Sequence, residues 1–304
     1  MQESIYKFMK VGIIHFMAYP QVMKGEGPIL ETLQKIAEDD FFTAVEVTWM
    51  KDPEIRGKAK DLLEASHLFV AYGAQPRLLV NKLDINSFEE EERKKAVQQV
   101  KEGIDEAYEL GARGLGFLSG KDPGENKREQ ALDLLISSTK EICAYAQSKG
   151  DLMIALEVFD QEVDKKCLIG PAKLAQKFAQ EVKKEFTNFG LMVDLSHLPL
   201  LGESAREAIL PIKDFLVHAH MGNCIMKDKN QIGYGDEHPR FGIKGGENDV
   251  EELIEYLRVL LEIGYLNSDN PPFLSFEVKP LPGESSEIVI ANAKRTLKEA
   301  WARV

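Results

Sequence analysis

Short apolar runs alternate with amphipathic stretches of helical period along the whole chain, and the pair repeats eight times. The apolar runs, interpreted as strands, cover residues 11–18, 44–49, 68–74, 112–118, 152–159, 190–195, 215–221 and 273–279. The stretches that follow them, interpreted as helices, cover residues 27–40, 53–66, 88–110, 126–148, 171–186, 203–212, 249–263 and 287–302. Such alternation is typical of a parallel sheet covered by helices. Eight units in 304 residues favour a closed barrel, so the sequence predicts an α/β fold that is a single (β/α)8 TIM barrel.

The predicted barrel occupies the whole chain, because no segment rich in proline, glycine or serine divides it. We therefore expect one domain over residues 1–304. The longest irregular segment, residues 222–248, follows the seventh predicted strand. Loops of this length are uncommon unless they are functional, and this loop lies on the face where TIM barrels place their active sites. A plain surface excursion is the alternative interpretation.

Charge and composition exclude several classes of protein. The net charge is −12, from 38 Lys and Arg against 50 Asp and Glu, so a phosphate backbone is repelled and no nucleic-acid partner is expected. Cys143, Cys167 and Cys224 are too few, and lack the spacing, for a disulfide framework or a zinc knuckle. Residues 1–10 lack the apolar stretch of a signal peptide, and no apolar run reaches the length of a membrane span. These features predict a cytoplasmic protein with no membrane partner, and they leave a homo-oligomer open.

Four polar side chains stand at the ends of four successive apolar strands: Glu157, Asp194, His220 and Glu277. A buried ionised carboxylate is costly unless it is paired or bound to a metal. These strands carry no basic partner for three carboxylates apart from Lys279. Since alternate strand residues share a face, we expect all four side chains to point into the barrel and to hold a divalent cation. A set of three carboxylates and one imidazole favours Mn²⁺ or Mg²⁺ and also suits Zn²⁺ or Co²⁺.

The combination of Glu157, Asp194-x-x-His197, His218-x-His220 and Glu277 resembles the xylose-isomerase-like TIM-barrel superfamily. Within it, the greatest similarity is to the sugar (phosphate) isomerase and epimerase group, which includes the ketose 3-epimerases. The order of units extends the resemblance over nearly the whole chain. The motifs themselves are confined to strands five to eight and to the segment 245–249 that precedes the seventh helix.

The resemblance implies a sugar-derived substrate and a role for each matching residue. The metal ligands would be Glu157, Asp194, His220 and Glu277, and His197 would contact the substrate. A metal that polarises the carbonyl of a hydroxy-ketone acidifies the neighbouring C–H. The resemblance assigns the removal and return of that proton, through an enediolate, to Glu157 and Glu277.

The sequence departs from the 3-epimerase pattern in the loop after the seventh strand. An arginine is expected there about six positions after the histidine, but Met226 and Lys227 stand in its place. Arg240, later in the loop, is the substitute that we predict to bind substrate. The loop also carries Asp236 and His238, with the spacing that endonuclease IV-like relatives use for another metal. These two residues are candidates for a second metal or a substrate contact, and a turn with an exposed histidine is the alternative.

Three rival functions stay open beside the isomerase or epimerase. A lyase or dehydratase acting on an oxidised sugar or inositol would use the same site. Phosphodiester hydrolysis of abasic DNA needs histidines on strands two and three. In this chain strand two has Glu46, and His67 lies at the start of strand three, which is the wrong end for the site. A non-catalytic sugar-binding barrel has no need of paired acid and base groups.

Several further residues have two interpretations. His15 either faces the pocket or is a hydrogen-bonded core histidine, and Glu46 either supports the site or is a buried structural carboxylate. For Trp49, Tyr72 and Phe117 we favour core packing over a wall for a sugar ring. Helix capping by Ser285 and Ser286 is favoured over phosphate binding, and nothing marks Cys224 as a nucleophile.

Overall fold

Eight parallel strands form a single sheet in the computed structural model, which describes residues 3–304. The strands are β1 (Lys10–Ile13), β2 (Ala44–Val47), β3 (Phe69–Gly73), β4 (Gly114–Leu118), β5 (Met153–Glu157), β6 (Phe189–Asp194), β7 (Leu216–Gly222) and β8 (Phe273–Glu277). They are ordered β1-β8-β7-β6-β5-β4-β3-β2. Strands this apolar, buried on both faces, are typical of parallel sheets that helices cover. The predicted (β/α)8 TIM barrel is confirmed.

The barrel closes between β1 and β2, where the fewest residues are paired. β1 pairs with β8 over four residues. Its connection to β2 is a bridge between Ile14 and Glu46 and a hydrogen bond from the Thr43 N–H to the Val11 carbonyl, 2.9 Å long. The β1–β8 pairing is close: a Cβ on Gly12 would lie 2.3 Å from the Ser275 Oγ, so the position requires glycine. The strands therefore enclose a narrow interior.

The helices are α1 (His15–Ala18), α2 (Ile29–Ala37), α3 (Pro53–Ser66), α4 (Gln75–Asn81), α5 (Glu90–Glu109), α6 (Arg128–Gln147), α7 (Ala172–Lys183), α8 (His197–Leu201), α9 (Ala205–Ile209), α10 (Val250–Glu262) and α11 (Ser286–Arg303). The eight predicted helices are present, with ends that differ by a few residues. None of the helices within residues 3–304 is long and apolar enough to cross a membrane.

Three short helices were not predicted, and each follows a strand. The end of the predicted first strand is helix α1, whose four residues are all buried. An apolar run this short has no polar face, so its period cannot distinguish helix from strand. Helices α4 and α8 lie in segments that we interpreted as connections. All three lie at the carboxyl ends of strands, where they help to enclose the site.

The start of α5 has no side-chain cap. Ser87 and Glu90 have the spacing of a capping box, but they do not form one, because α5 begins only at Glu90. The Ser87 hydroxyl instead donates to Glu92 and accepts from the Glu89 N–H. At the other end of α5, Gly111 has φ of +72° and follows the helix, where a glycine in this backbone region is common.

Candidate functional site

Four buried side chains meet at the carboxyl ends of β5 to β8. Glu157, Asp194 and Glu277 are the last residues of their strands, and His220 lies near the end of β7. One ligand atom from each residue lies within 4.8 Å of the other three. The His220 Nδ1 is 2.9 Å from the Glu277 Oε2 and 3.5 Å from the Glu157 Oε1. Strand alternation and the barrel geometry therefore bring together the four residues that the sequence singled out.

Each of these four residues has one buried atom that forms no hydrogen bond in the part of the chain that the structure describes, although the His220 Nδ1 lies at ion-pair distance from Glu157 and Glu277. The atoms are Glu157 Oε1, Asp194 Oδ2, His220 Nδ1 and Glu277 Oε2. An unpaired buried polar atom costs about 1–3 kcal/mol, and four that converge on one point have a common cause. Three carboxylates and one imidazole nitrogen are a donor set that suits a divalent cation. The residues present fit such an ion.

Neighbouring groups hold the second oxygen of two of the three carboxylates. The Gln75 Nε2 donates to the Glu157 Oε2 at 2.7 Å. The Ser196 N–H donates to the Asp194 Oδ1 at 2.6 Å. Each of these carboxylates is thus fixed by one oxygen and free at the other. Such support orients ligands toward a metal.

No lysine or arginine within residues 3–304 lies within ion-pair distance of these three carboxylates. Lys279, the basic residue nearest in sequence, pairs with Glu237 instead. Burial raises the pKa of Glu277 to about 7, although His238 and His220 oppose the rise. The site as it stands has too little positive charge, and a divalent cation would supply it.

A second buried cluster adjoins the first and includes a basic side chain, Lys165. The Asp236 Oδ1 lies 3.1 Å from the His197 Nε2 and 3.0 Å from the His238 Nε2. The Lys165 Nζ lies 3.1 Å from the Asp236 Oδ2. Asp194, His197 and His238 are also close enough together to ligate an ion. Because His238 is 2% exposed, the alternative of a turn with an exposed histidine is wrong.

The electrostatics of this second cluster follow from the ion pairs. Burial alone would lower the pKa of His197, but Asp236 raises it to about 10. Burial likewise opposes the charged form of His238, and Glu277 and Asp236 raise its pKa to about 9. Burial would raise the pKa of Asp236, but His238, His197 and Lys165 hold it well below its usual range. The cluster therefore contains a carboxylate and the positive charge that balances it.

A cavity of about 220 Å³ opens above the four converging residues. Its floor is polar and includes Glu157, His220 and Glu277. One wall is apolar and comes from α1, α4 and the segments after β1, α1 and β5: Ile14, Phe16, Met17, Met23, Pro76, Leu79, Val80 and Phe159. An apolar wall over a polar floor is the usual construction of a small-molecule site.

The loop after β7 is anchored to the strands rather than loosely exposed. The Asn223 Oδ1 accepts from the N–H groups of Cys224, Glu247 and Asn248, so one side chain ties both ends of the loop. The Asn248 Nδ2 donates to the carbonyls of Leu195 and Gly222, which follow β6 and end β7. This bracing holds residues 236–238 over the cavity.

The structure does not bring Arg240 to the site. Its guanidinium pairs with Glu284 at 2.9 Å, its side chain is 36% exposed, and it does not line the cavity. His197 is buried beside the cavity and contacts Asp236, while its Nδ1 donates to the Val158 carbonyl at 2.8 Å. His238 lines the cavity.

The residues with two interpretations are mostly structural. His15 lies in α1 with its Nε2 2.8 Å from the Thr32 Oγ1, and burial lowers its pKa to about 3, as for a core histidine. The Tyr72 hydroxyl is buried and donates to Glu106. His67 directly follows α3 as its C-cap and does not line the cavity. Cys224 is buried, and burial raises the pKa of its thiol.

Sequence reasoning missed Gln75 and Lys165. Gln75 begins α4 immediately after β3, and the Pro76 that follows it is the signal that a helix starts at this strand end. Lys165 lies in a loop that Asp160 organises, since the Asp160 carboxylate accepts from the N–H groups of residues 163–166. An aspartate that follows a strand and caps its own loop could have indicated an ordered segment.

Comparisons with known proteins agree with the fold. Residues 33–288 match the family model described as xylose isomerase-like TIM barrel. The comparison with curated proteins gave no match. A D-tagatose 3-epimerase-like protein is similar in structure, with a TM-score of 0.71, 22% identity, and coverage of 97% of this chain and 99% of that one.

Two further solved structures have the same fold. The D-psicose 3-epimerase with D-tagatose from Clostridium cellulolyticum H10 gives a TM-score of 0.67 at 17% identity, and it covers 97% of this chain and 99% of its own. The IOLI protein with a bound zinc atom gives a TM-score of 0.72 at 17% identity, with the same coverage. At such identities the likeness shows the fold.

Proposed function

This chain belongs to the xylose isomerase-like TIM-barrel family, and from that membership we propose that it is a metal-dependent isomerase or epimerase of a sugar or polyol. The observation that carries the proposal is the pair Glu157 and Glu277. Both are buried, both line one cavity, and both have a free oxygen beside the His220 imidazole. Two carboxylates that face one cavity can remove a proton from a substrate and return it.

The cation would be held by Glu157, Asp194, His220 and Glu277. Such an ion supplies Lewis-acid polarisation of a substrate carbonyl when it is bound. The oxygen-rich donor set favours Mn²⁺, and Mg²⁺, Co²⁺ and Zn²⁺ are the other candidates. The bound zinc of the IOLI protein, which has this fold, supports a divalent ion.

Glu157 and Glu277 transfer the proton in this proposal. One carboxylate takes the proton from the carbon next to the substrate carbonyl, which leaves an enediolate. The other glutamate, protonated, gives a proton back to the opposite face in an epimerase or to the neighbouring carbon in an isomerase. Gln75 fixes one oxygen of Glu157 for this step, and the wall that includes Phe16 and Phe159 excludes water.

Substrate contacts would come from the second cluster. We assign a direct contact to His238, which lines the cavity, and we place Lys165 at its edge. His197 would act through Asp236, which it contacts. Lys165 already supplies a positive charge to Asp236, so this cluster needs no second metal.

The neighbours support a carbohydrate as the substrate class. Proteins of this fold include a D-psicose 3-epimerase with D-tagatose, a D-allulose 3-epimerase in complex with D-allulose and a 3-keto-D-glucoside 4-epimerase. A lyase or dehydratase is the second candidate, since β-elimination begins with the same proton removal. Phosphodiester hydrolysis is disfavoured, because Glu46 occupies strand two and the net charge is −12.

Exchange with solvent tests the mechanism. The protein with Mn²⁺ is incubated in D₂O with D-tagatose, D-allulose and D-fructose, and we expect deuterium in the product at the carbon next to the carbonyl. Glu157→Gln and Glu277→Gln each remove one carboxylate, so turnover should fall by about 10²–10⁴-fold. Glu262→Gln, which only breaks a surface ion pair with Arg206, should keep full turnover. Product free of deuterium would contradict proton transfer.

A further inference from the structure

A buried glutamate on the opposite side of the barrel contacts the predicted metal ligand of β7. Glu46 lies in β2 and is 4% exposed. Its Oε1 and Oε2 lie 3.2 and 3.3 Å from the His220 Nε2. No lysine or arginine in the described chain pairs with it, and its ion pairs are with His218 and His220. Its partners across the barrel are therefore these two imidazoles.

The contact determines which nitrogen of His220 is free. An ionised carboxylate can only accept hydrogen bonds, so the Nε2 that faces Glu46 keeps its hydrogen. The other nitrogen, Nδ1, has no hydrogen-bond partner among residues 3–304 and points toward the free oxygens of Glu157 and Glu277. We propose that Glu46 is a positioning residue, which selects the His220 Nδ1 as the metal-binding atom and holds the ring in place. This inference rests on the proposed function, because it concerns the same metal site.

His218 holds Glu46 in turn. The His218 Nε2 is 2.7 Å from the Glu46 Oε1, and its ring stacks on Phe273 at a centroid distance of 5.5 Å. His218 and His220 are two apart on β7 and so share a face. One carboxylate thus bridges two imidazoles of a single strand, which leaves neither ring free to turn.

Glu46 also separates two cavities. It lines the cavity above the metal ligands and a second cavity, of about 300 Å³, toward the opposite end of the barrel. His218, Lys10 and Arg113 line that second cavity. Loss of the Glu46 side chain would join the two cavities, and water would then reach the His220 Nε2 from the second cavity. The expected damage is a loosened ring at the metal site.

Zinc affinity is the measurement that tests this role. Protein stripped with EDTA is titrated with Zn²⁺ in competition with a chromophoric chelator. Loss of a group that holds a metal-bound histidine typically weakens metal binding by about 10- to 100-fold, and we expect a loss in this range for Glu46→Ala. Glu46→Gln keeps an amide oxygen that accepts one hydrogen bond, so its loss should be smaller. In the zinc-loaded protein, histidine ¹⁵N NMR should show the His220 Nε2 protonated and Nδ1 bound to metal, and this pattern should be lost in Glu46→Ala.

Glu106→Gln is the matched control. Glu106 is also a buried glutamate, but it pairs with Arg77 and Tyr72 away from the metal ligands. Its replacement should lower the thermal midpoint and leave the zinc affinity unchanged. Wild-type zinc affinity in both Glu46 variants, or an equal loss in Glu106→Gln, would overturn the positioning role alone. A wild-type chain that binds no zinc would overturn the proposed metal site and this inference together.

Discussion

At the scale of single residues, the site depends on side chains that are fixed at one atom and free at another. Gln75 holds Glu157, the Ser196 N–H holds Asp194, and in each carboxylate the second oxygen is free. Fixing one end removes rotamer freedom before any ligand binds, so less entropy is lost on binding. Gln75 and the Ser196 N–H therefore orient the ligand oxygens before an ion binds.

His238 and Arg240 belong to one loop but have different surroundings, which leads to a paired prediction. His238 has φ of +48°, so His238→Asn is the suitable replacement, since asparagine tolerates this backbone region. Loss of a charge-assisted contact with substrate should reduce kcat/KM by about 10- to 100-fold. Arg240→Ala breaks only a partly exposed ion pair with Glu284, and it should leave turnover near wild type. The measurement is steady-state kinetics on a ketose that the enzyme turns over, and the reverse ranking would contradict the assignment.

At the scale of elements, the strands position the metal ligands and the loops after β5 and β7 complete the site. The ion pair of Lys165 with Asp236 joins these two loops. The Asp160 carboxylate, which is fully buried, holds the first loop by accepting several backbone N–H groups. A loop fixed in this way can carry a charged side chain to a precise position, as functional loops on rigid scaffolds do.

The accessibility of Cys167 reports on this loop. Cys167 lies at its end and is 3% exposed. Asp160→Ala removes the acceptor of the loop N–H groups, so Cys167 should react with a thiol reagent about 10- to 100-fold faster. Peptide mapping would show which cysteine reacts. Asp122→Ala, which breaks an ion pair with Arg128 in a neighbouring loop, is the control that should not expose it. Equal protection of Cys167 in both variants would show that Asp160 does not hold the loop.

At the scale of the whole molecule, closure of the barrel concentrates negative charge. Eight strands bring Glu157, Asp194 and Glu277 to one point, and Glu46 lies across the barrel on the far side of His220. Buried carboxylates this close repel one another and oppose folding. The folded chain therefore has a built-in preference for a bound cation.

Metal binding should accordingly stabilise the fold. A ligand that binds only the native state at 100 times its Kd adds about 2.7 kcal/mol. Addition of Mn²⁺ or Zn²⁺ to EDTA-treated protein should therefore raise the thermal midpoint by several degrees, and calorimetry would measure the shift. Asp194→Ala removes one ligand and should abolish most of the shift. An identical rise in this variant would indicate that the ion binds elsewhere.

The sequence by itself determined the eight strand-helix units and the four residues at the ends of β5 to β8. Both follow from local rules: helical and strand periods are written in short windows, and strand alternation decides which side chains face inward. Short helices such as α1 were not predicted by these rules, because a run of four residues is too short to show a helical period.

Only the tertiary structure decided which residues support the metal ligands and which contact the cavity. Glu46 meets His220 across 174 residues of chain, and Lys165 meets Asp236 across 71. Arg240, in contrast, lies in the expected loop and turns away to Glu284. Contacts of this kind depend on the closure of the barrel and on the path of each loop. No local period encodes them, because the partners become neighbours only when the whole chain has folded.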